Sequence, residues 1–177
     1  MIGTVGFILL ASHLGIRAHA DSGKVAKVAE LIGSYTYVGD RAKDEASIKA
    51  KADAATAKMS RMVLKRAKPR LDSSTRIPNQ LSITQQGANL VFKMDDYVVT
   101  TPKDGSSAKV TTPIGETADA SFDTKTATLL QSVATTGGAK RNTFDFDPTG
   151  QLLVHVEITN SRFVAPVAFT LLYARSK

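Results

Sequence analysis

Residues 80–101 read QLSITQQGANLVFKMDDYVVTT, and this stretch decides the fold class of the chain. Apolar and polar residues alternate at its start, as they do in a strand with one buried face, and Gly87 then marks a turn. A second run at 89–94 and a third at 97–101 follow, and Pro-Lys-Asp-Gly at 102–105 is a strong turn signal. Short strands joined by tight turns predict antiparallel hairpins.

The same pattern continues to the C-terminal end of the chain. Turn residues separate six further β-rich runs, which are expected at 108–112, 118–123, 126–135, 140–147, 151–159 and 166–175. With one more strand at 34–38, the total is about ten. Such a pattern indicates a barrel or a sandwich, and a meander of this length can close on itself. We therefore predict a mainly β fold, an antiparallel up-and-down barrel of about ten strands with interior room for one small ligand.

A helical insertion follows the first predicted strand. Residues 41–68 contain neither Gly nor Pro and are rich in Ala, Lys, Met and Arg, which favour helices. Asp40 is placed to cap the start, and Pro69 is predicted to end the helix. A break near 52–56 stays open, although no Gly or Pro forces one. Apolar residues at spacings of three and four predict one apolar helix face, and they are Ile48, Ala52, Ala55, Met59, Met62 and Val63.

The N-terminal residues predict export. Residues 6–11 form a short apolar run, and Ala18-His19-Ala20 follows it with the small-x-small pattern that a signal peptidase reads. We predict a signal peptide at 1–20 that is cleaved after Ala20, a barrel domain at 21–177, and a periplasmic or secreted protein. No Lys or Arg precedes the apolar run, so a non-cleaved anchor or a fragment of a longer leader is the alternative.

Composition and motifs point away from catalysis. The chain has no cysteine, which excludes disulfides, thiolate metal sites and cysteine nucleophiles. His155, the only histidine of the predicted domain, is expected on the surface, and Asp145 and Asp147 are expected as solvated acids near a turn. No serine-hydrolase, phosphate-loop or dinucleotide motif is present. We predict no enzyme activity, no metal site and no cofactor.

At both ends of the predicted barrel the sequence resembles a known family. Leu31-Ile32-Gly33-Ser34-Tyr35, the helical insertion, and a meander ending in Phe169-Thr170-Leu171-Leu172-Tyr173-Ala174-Arg175 have the element order of the intracellular fatty-acid-binding proteins. More broadly the order resembles the lipocalin-like calycin barrels, with Gly33-Ser34-Tyr35 in the place of their Gly-x-Trp signature. The resemblance implies a lidded barrel that carries a small hydrophobic ligand, lipid or fatty-acid-like.

One departure from the resembled family concerns the ligand's acidic group. Fatty-acid-binding proteins often end in Arg-x-Tyr, whose Arg pairs with the ligand carboxylate, and Leu171 stands where that Arg would be. Three alternatives stay open. The ligand is neutral, another cation such as Arg141 or Arg175 takes that place, or nothing of that kind binds.

Alternation of residues along the strands assigns the candidate ligand-binding side chains, together with two methionines of the lid. A filled core is the alternative interpretation, because aromatic side chains inside a barrel often only pack. The candidates are Tyr35, Tyr37, Met59, Met62, Phe92, Phe144, Phe146, Val154, Val156, Phe169, Leu171 and Tyr173.

Charge suggests a second kind of partner. The formal net charge is +7, and basic residues at 49–70 flank the apolar stripe of the insertion, as in helices that lie on anionic membranes. The alternative function is therefore a cell-envelope interaction protein that contacts such a membrane. Nucleic acid is not expected as a partner, since no aromatic residues interleave with these bases. A monomer is expected.

Overall fold

The computed structural model describes residues 28–123 and 129–176, and within them it has three helices and ten strands. The signal peptide predicted at 1–20 lies outside the described residues. The predicted strand number and the position of the helical insertion are confirmed. In chain order the elements are α1 Val28–Leu31, β1 Gly33–Tyr37, α2 Arg41–Thr56, α3 Arg61–Thr75, β2 Gln80–Gln86, β3 Asn89–Met94, β4 Tyr97–Pro102, β5 Ala108–Thr111, β6 Thr117–Asp123, β7 Leu129–Thr135, β8 Gly138–Phe146, β9 Leu152–Asn160 and β10 Val167–Arg175.

The ten strands form one antiparallel sheet in the order β4-β3-β2-β1-β10-β9-β8-β7-β6-β5. Strand β1 pairs with β10, with Tyr37 opposite Tyr173, so the first and last strands join the two halves of the sheet. Strands β4 and β5, at the two ends of this order, lie close together without a paired register among the described residues. The sheet is therefore a nearly closed up-and-down barrel, as predicted from the alternation and the turns.

Helices α2 and α3 cover one end of this barrel, which we call the helical end. The connections β3–β4, β5–β6, β7–β8 and β9–β10 lie at the same end, because each strand reverses the direction of the one before it. Several hydrogen bonds attach α2 there. Among them, the Val164 backbone N donates to the Ala55 carbonyl at 2.9 Å, and Lys51 Nζ donates to the Ala168 carbonyl at 2.8 Å.

The half of the barrel away from α2 and α3 is filled by aromatic side chains. Phe92, Phe122 and Phe144 come from β3, β6 and β8, and each is at most 2% exposed. The ring centroids of Phe92 and Phe144 are 5.3 Å apart, and those of Phe122 and Phe144 are 6.0 Å apart. Contacts at such distances are typical of packed aromatic cores. This half of the interior is therefore a filled core.

The insertion is two helices, and the prediction that Pro69 ends it is wrong. Helix α2 ends at Thr56, and the Ser60 side chain starts α3 by accepting a hydrogen bond from the Val63 backbone N at 3.5 Å, so a serine cap divides the insertion without Gly or Pro. Helix α3 then passes through Pro69 to Thr75. Pro69 is exposed, so water can solvate the helix backbone where the missing N–H leaves a carbonyl unpaired. None of the described helices is long and apolar enough to cross a bilayer.

Candidate ligand-binding cavity

A cavity of about 870 Å³ lies between α3 and the helical end of the barrel. Its outer walls are α3 and the connections β3–β4, β5–β6, β7–β8 and β9–β10, and its inner wall comes from strands that include β7, β8 and β9. The volume falls in the range of roughly 300–1,000 Å³ that small-molecule sites occupy. Much of the lining is apolar, and these side chains are Met59, Val63, Ala67, Leu71, Met94, Val133, Ile158 and Phe163.

Two buried amides line this cavity from neighbouring strands. Gln131 of β7 lies opposite Asn142 of β8, and Asn142 Nδ2 donates to Gln131 Oε1 at 2.7 Å. The two residues are 1% and 2% exposed. Gln131 Nε2 and Asn142 Oδ1 have no hydrogen-bond partner among the described residues, and neither has the hydroxyl of Tyr97. Each buried polar group without a hydrogen-bond partner lowers the stability of the fold by about 1–3 kcal/mol, so these three side chains destabilise the fold at this place.

Lys140 brings a cation into the same cavity. It lies two residues before Asn142 on β8 and therefore on the same inward face. Its Nζ donates to the Ser74 carbonyl at 2.8 Å, in the last turn of α3, where helix carbonyls lack partners within the helix. Burial lowers the pKa of the Lys140 amine to about 8, and among the described residues no carboxylate forms an ion pair with it.

The other charged groups of the lining are largely paired with one another. Arg70 Nε donates to Glu116 Oε1 at 2.6 Å, and Arg76 Nη2 lies 3.3 Å from Asp95 Oδ2. In total five basic residues and three acidic residues line the cavity, so the lining carries an excess of positive charge. The basic residues are Arg66, Arg70, Arg76, Lys140 and Arg162, and the acidic residues are Asp95, Asp96 and Glu116.

The two helices of the lid are attached in different ways. Near the start of α2, Tyr37 Oη donates to Asp44 Oδ2 at 2.5 Å, and the Arg41 guanidinium lies 5.0 Å from the centre of the Tyr37 ring. Burial and the Asp44 carboxylate both raise the pKa of the Tyr37 hydroxyl, which therefore stays protonated as a donor. Helix α2 also has four buried residues, whereas α3 has none. Polar contacts such as Arg70–Glu116 hold α3 over the cavity.

The predicted site residues fall into four groups. Met59 lines the 870 Å³ cavity, and Met62 is 69% exposed on the outer side of α3. A second void of about 10 Å³ shares Lys140 and Asn142 with the main cavity and is also lined by the predicted residues Phe92, Val154, Val156, Leu171 and Tyr173. The remaining predicted residues belong to the core or pack against it and line neither space, and they are Tyr35, Tyr37, Phe144, Phe146 and Phe169.

Sequence reasoning missed the polar part of the lining, although a signal for it was available. The alternation that assigns Phe144 and Phe146 to the interior also places Asn142 and Lys140 on that face when it is followed back along β8. An inward lysine beside an inward amide is unusual enough to mark a site.

The two cations considered as replacements for the family's arginine do not reach the cavity. Arg141 points outward and lies 3.6 Å from Glu157. Arg175, at the other end of the barrel, donates to the Glu30 carbonyl at 2.7 Å and to Tyr35 Oη at 3.2 Å. Neither Arg141 nor Arg175 therefore lines the cavity.

His155 and Asp147 make hydrogen bonds within the strands and turns of the barrel. His155 is exposed, and its Nδ1 shares a hydrogen bond with the Thr170 hydroxyl at 2.9 Å. Asp147 accepts a hydrogen bond from the Thr149 hydroxyl at 2.8 Å, which lowers the pKa of its carboxyl, and further ones from the backbone N of Thr149 and of Gln151, each at 2.9 Å. Within residues 28–123 and 129–176, no cluster of three acidic, His or Cys side chains is arranged to hold a metal ion.

No protein-family profile and no curated protein sequence matches this chain. Among solved structures, it is similar to a mutant of the REP1-NXSQ fatty acid transporter, with 14% identity, 84% of this chain and 99% of that chain covered, and a TM-score of 0.48. It is also similar to the zebrafish ileal bile acid-binding protein complexed with cholic acid, with 11% identity, coverage of 83% and 99%, and a TM-score of 0.47. The calycin-like arrangement itself is visible in the strand order and in the two helices between β1 and β2.

Proposed function

We propose that this chain is a non-catalytic binding or carrier protein that holds a small hydrophobic ligand in the cavity beneath α3. The observation that carries the proposal is the space of about 870 Å³ between α3 and the helical end of a barrel whose other half is packed. Transfer of apolar ligand surface from water to this lining would supply the driving force, at roughly 25 cal/mol per Å². No covalent step is required.

Helix α3 is the proposed entry point. It covers the cavity without a fully buried residue of its own, through Arg70–Glu116, the bond from Lys140 to the Ser74 carbonyl and the partly buried Leu71. Exposed ion pairs contribute little to stability, typically less than about 1 kcal/mol each. Helix α3 can therefore separate from the barrel at low cost while α2 stays attached, and its return excludes water from the bound ligand.

Filling part of the cavity from α3 should weaken the uptake of a neutral apolar dye. Ala67 lines the cavity, so Ala67→Trp places an indole in the space that the dye needs, and we expect the affinity for Nile red to fall at least about tenfold. Fluorescence titration measures this affinity. The matched control is Lys65→Trp, which adds the same ring at an exposed position of the same helix. Equal affinity in the two variants, or no uptake by the parent chain, would contradict the proposal.

A surface on the helical end supports a second candidate function, contact with an anionic membrane. Met62, Ile114 and Val164 are 69%, 39% and 49% exposed there, and the basic residues of 61–70 lie on the same helix as Met62, α3. Apolar side chains set among bases are typical of membrane-surface segments. Binding to phosphatidylserine vesicles that Ala67→Trp does not alter, in a chain that takes up no Nile red, would favour this candidate over the carrier.

We further propose that the chain is exported, on the pattern of residues 6–20. Expression with its own N-terminus in a secreting host should yield a mature chain that begins at Asp21. Intact-mass measurement of the exported protein is the direct test. A mass that includes Met1 in that fraction would disprove cleavage.

A further inference from the structure

The buried amide pair has hydrogen-bonding needs that do not depend on how its amides are turned. Each side-chain amide offers one carbonyl oxygen and one NH₂ group. The bond between Asn142 and Gln131 uses one oxygen and one nitrogen, and Gln131 Nε2 and Asn142 Oδ1 remain. If both amides were rotated by half a turn, the roles would exchange, and one donor and one acceptor would still remain. An occupant that satisfies this pair must therefore supply an acceptor and a donor.

Lys140 stands next to this pair and supplies positive charge. The Cα atoms of residues two apart on a strand are separated by roughly 6.6 Å. The Lys140 amine and the Asn142 amide can therefore contact neighbouring parts of one bound molecule. The Ser74 carbonyl uses one of the three protons of the ammonium group, and the others are free to bind an anion. Tyr97, whose buried hydroxyl also has no partner among the described residues, lines the same space.

A plain fatty acid does not match this set of groups. Its carboxylate has acceptors only, so it can satisfy Lys140 and Gln131 Nε2 but leaves Asn142 Oδ1 without a donor. The remaining acceptor calls for a hydroxyl or an amide N–H on the occupant. The chain length and volume of the occupant are set separately by the apolar walls.

We infer that the cavity binds an amphipathic acid that carries a hydroxyl or amide N–H donor within a few carbon atoms of its acidic group. The acid faces Lys140, and the donor faces the amide pair of Gln131 and Asn142. This inference rests on the proposed carrier function and adds the chemistry of the ligand's head.

The test compares 3-hydroxytetradecanoate with tetradecanoate, which differ only in one hydroxyl. Displacement of Nile red from the full chain measures both affinities. We expect the hydroxy acid to bind about tenfold to a hundredfold more tightly, because only it satisfies the amide pair. The double substitution Gln131→Met with Asn142→Leu should bind the two acids equally. The control Gln86→Met, at an exposed amide of β2, should keep the preference.

The possible failures are distinguishable. Replacing both members of a half-satisfied buried pair by apolar side chains is neutral or stabilising, so the double variant should fold, and thermal unfolding checks this. If the parent chain binds Nile red but shows no preference for the hydroxy acid, or if the double variant keeps the preference, this inference is wrong and the carrier function stands. If the parent chain binds neither the dye nor either acid, both the inference and the carrier function fail.

Discussion

Replacing Lys140 with methionine should lower the affinity for tetradecanoate about a hundredfold and leave that for its methyl ester nearly unchanged. The Lys140 ammonium lies inside the barrel wall, and among the described residues no carboxylate is paired with it. Loss of one partner from a buried charge pair costs roughly 2–5 kcal/mol of binding energy, and 2.7 kcal/mol corresponds to about a hundredfold. Methionine keeps most of the side-chain length, so the apolar walls should be preserved. Displacement of Nile red at pH 7 measures both ligands.

The pH dependence separates an anion-binding role of Lys140 from a purely structural one. Since the amine has a pKa of about 8 in the folded chain, the anion affinity should fall about tenfold per pH unit above that value. Between pH 8 and 10.5 the unfolded chain binds the extra proton, so the free energy of unfolding should rise with pH, and Lys140→Met should remove this rise.

The next residue along β8 provides the matched control. Arg141→Met removes the same charge one position away, but Arg141 points outward and pairs with Glu157 on the barrel surface. Exposed pairs of this kind contribute less than about 1 kcal/mol, so the affinity for tetradecanoate should change by less than about threefold. A comparable loss in both variants would mean that overall charge, and not the position of Lys140, governs binding.

The fold could be predicted because its determinants are local. Period-two alternation in stretches such as 80–84 and turn residues such as Gly87 specify strands and hairpins one by one, and a long antiparallel meander has few ways to close. The break between α2 and α3 is also local, but its signal is the weaker one of a serine cap at Ser60. Pro69 misled the prediction because an exposed helix position tolerates the lost hydrogen bond.

The position of the cavity could not be predicted in the same way. Alternation shows which side chains point inward, but it does not show where inward side chains meet. Phe92, Phe122 and Phe144 come from strands that are far apart in the sequence, and only closure of the barrel brings their rings together. Three rings fill one half, and smaller or polar residues such as Val133 and Asn142 leave the other half open. Candidate residues taken from aromatic strands therefore emphasised the packed half.

The substitution of Phe144 with alanine should show that the packed half of the barrel contributes to stability and not to ligand binding. Phe144 is 1% exposed and contacts both neighbouring rings, so Phe144→Ala should lower the free energy of unfolding by about 3–5 kcal/mol. Urea denaturation at pH 7 measures this change. Because Phe144 lines neither the main cavity nor the small void, the affinity for Nile red should not fall by more than about threefold in the fraction that stays folded.

Phe163 offers the opposite case with the same side chain. It lies in the β9–β10 connection, is only partly buried, and lines the 870 Å³ cavity. Phe163→Ala should therefore cost less stability than Phe144→Ala and more of the Nile red affinity, about tenfold, since an apolar wall of the site is lost. The reverse order of binding losses would place the ligand among the aromatic rings. In that case the sequence-based choice of Phe144 as a ligand contact would be correct, and the rings would have to separate to admit it.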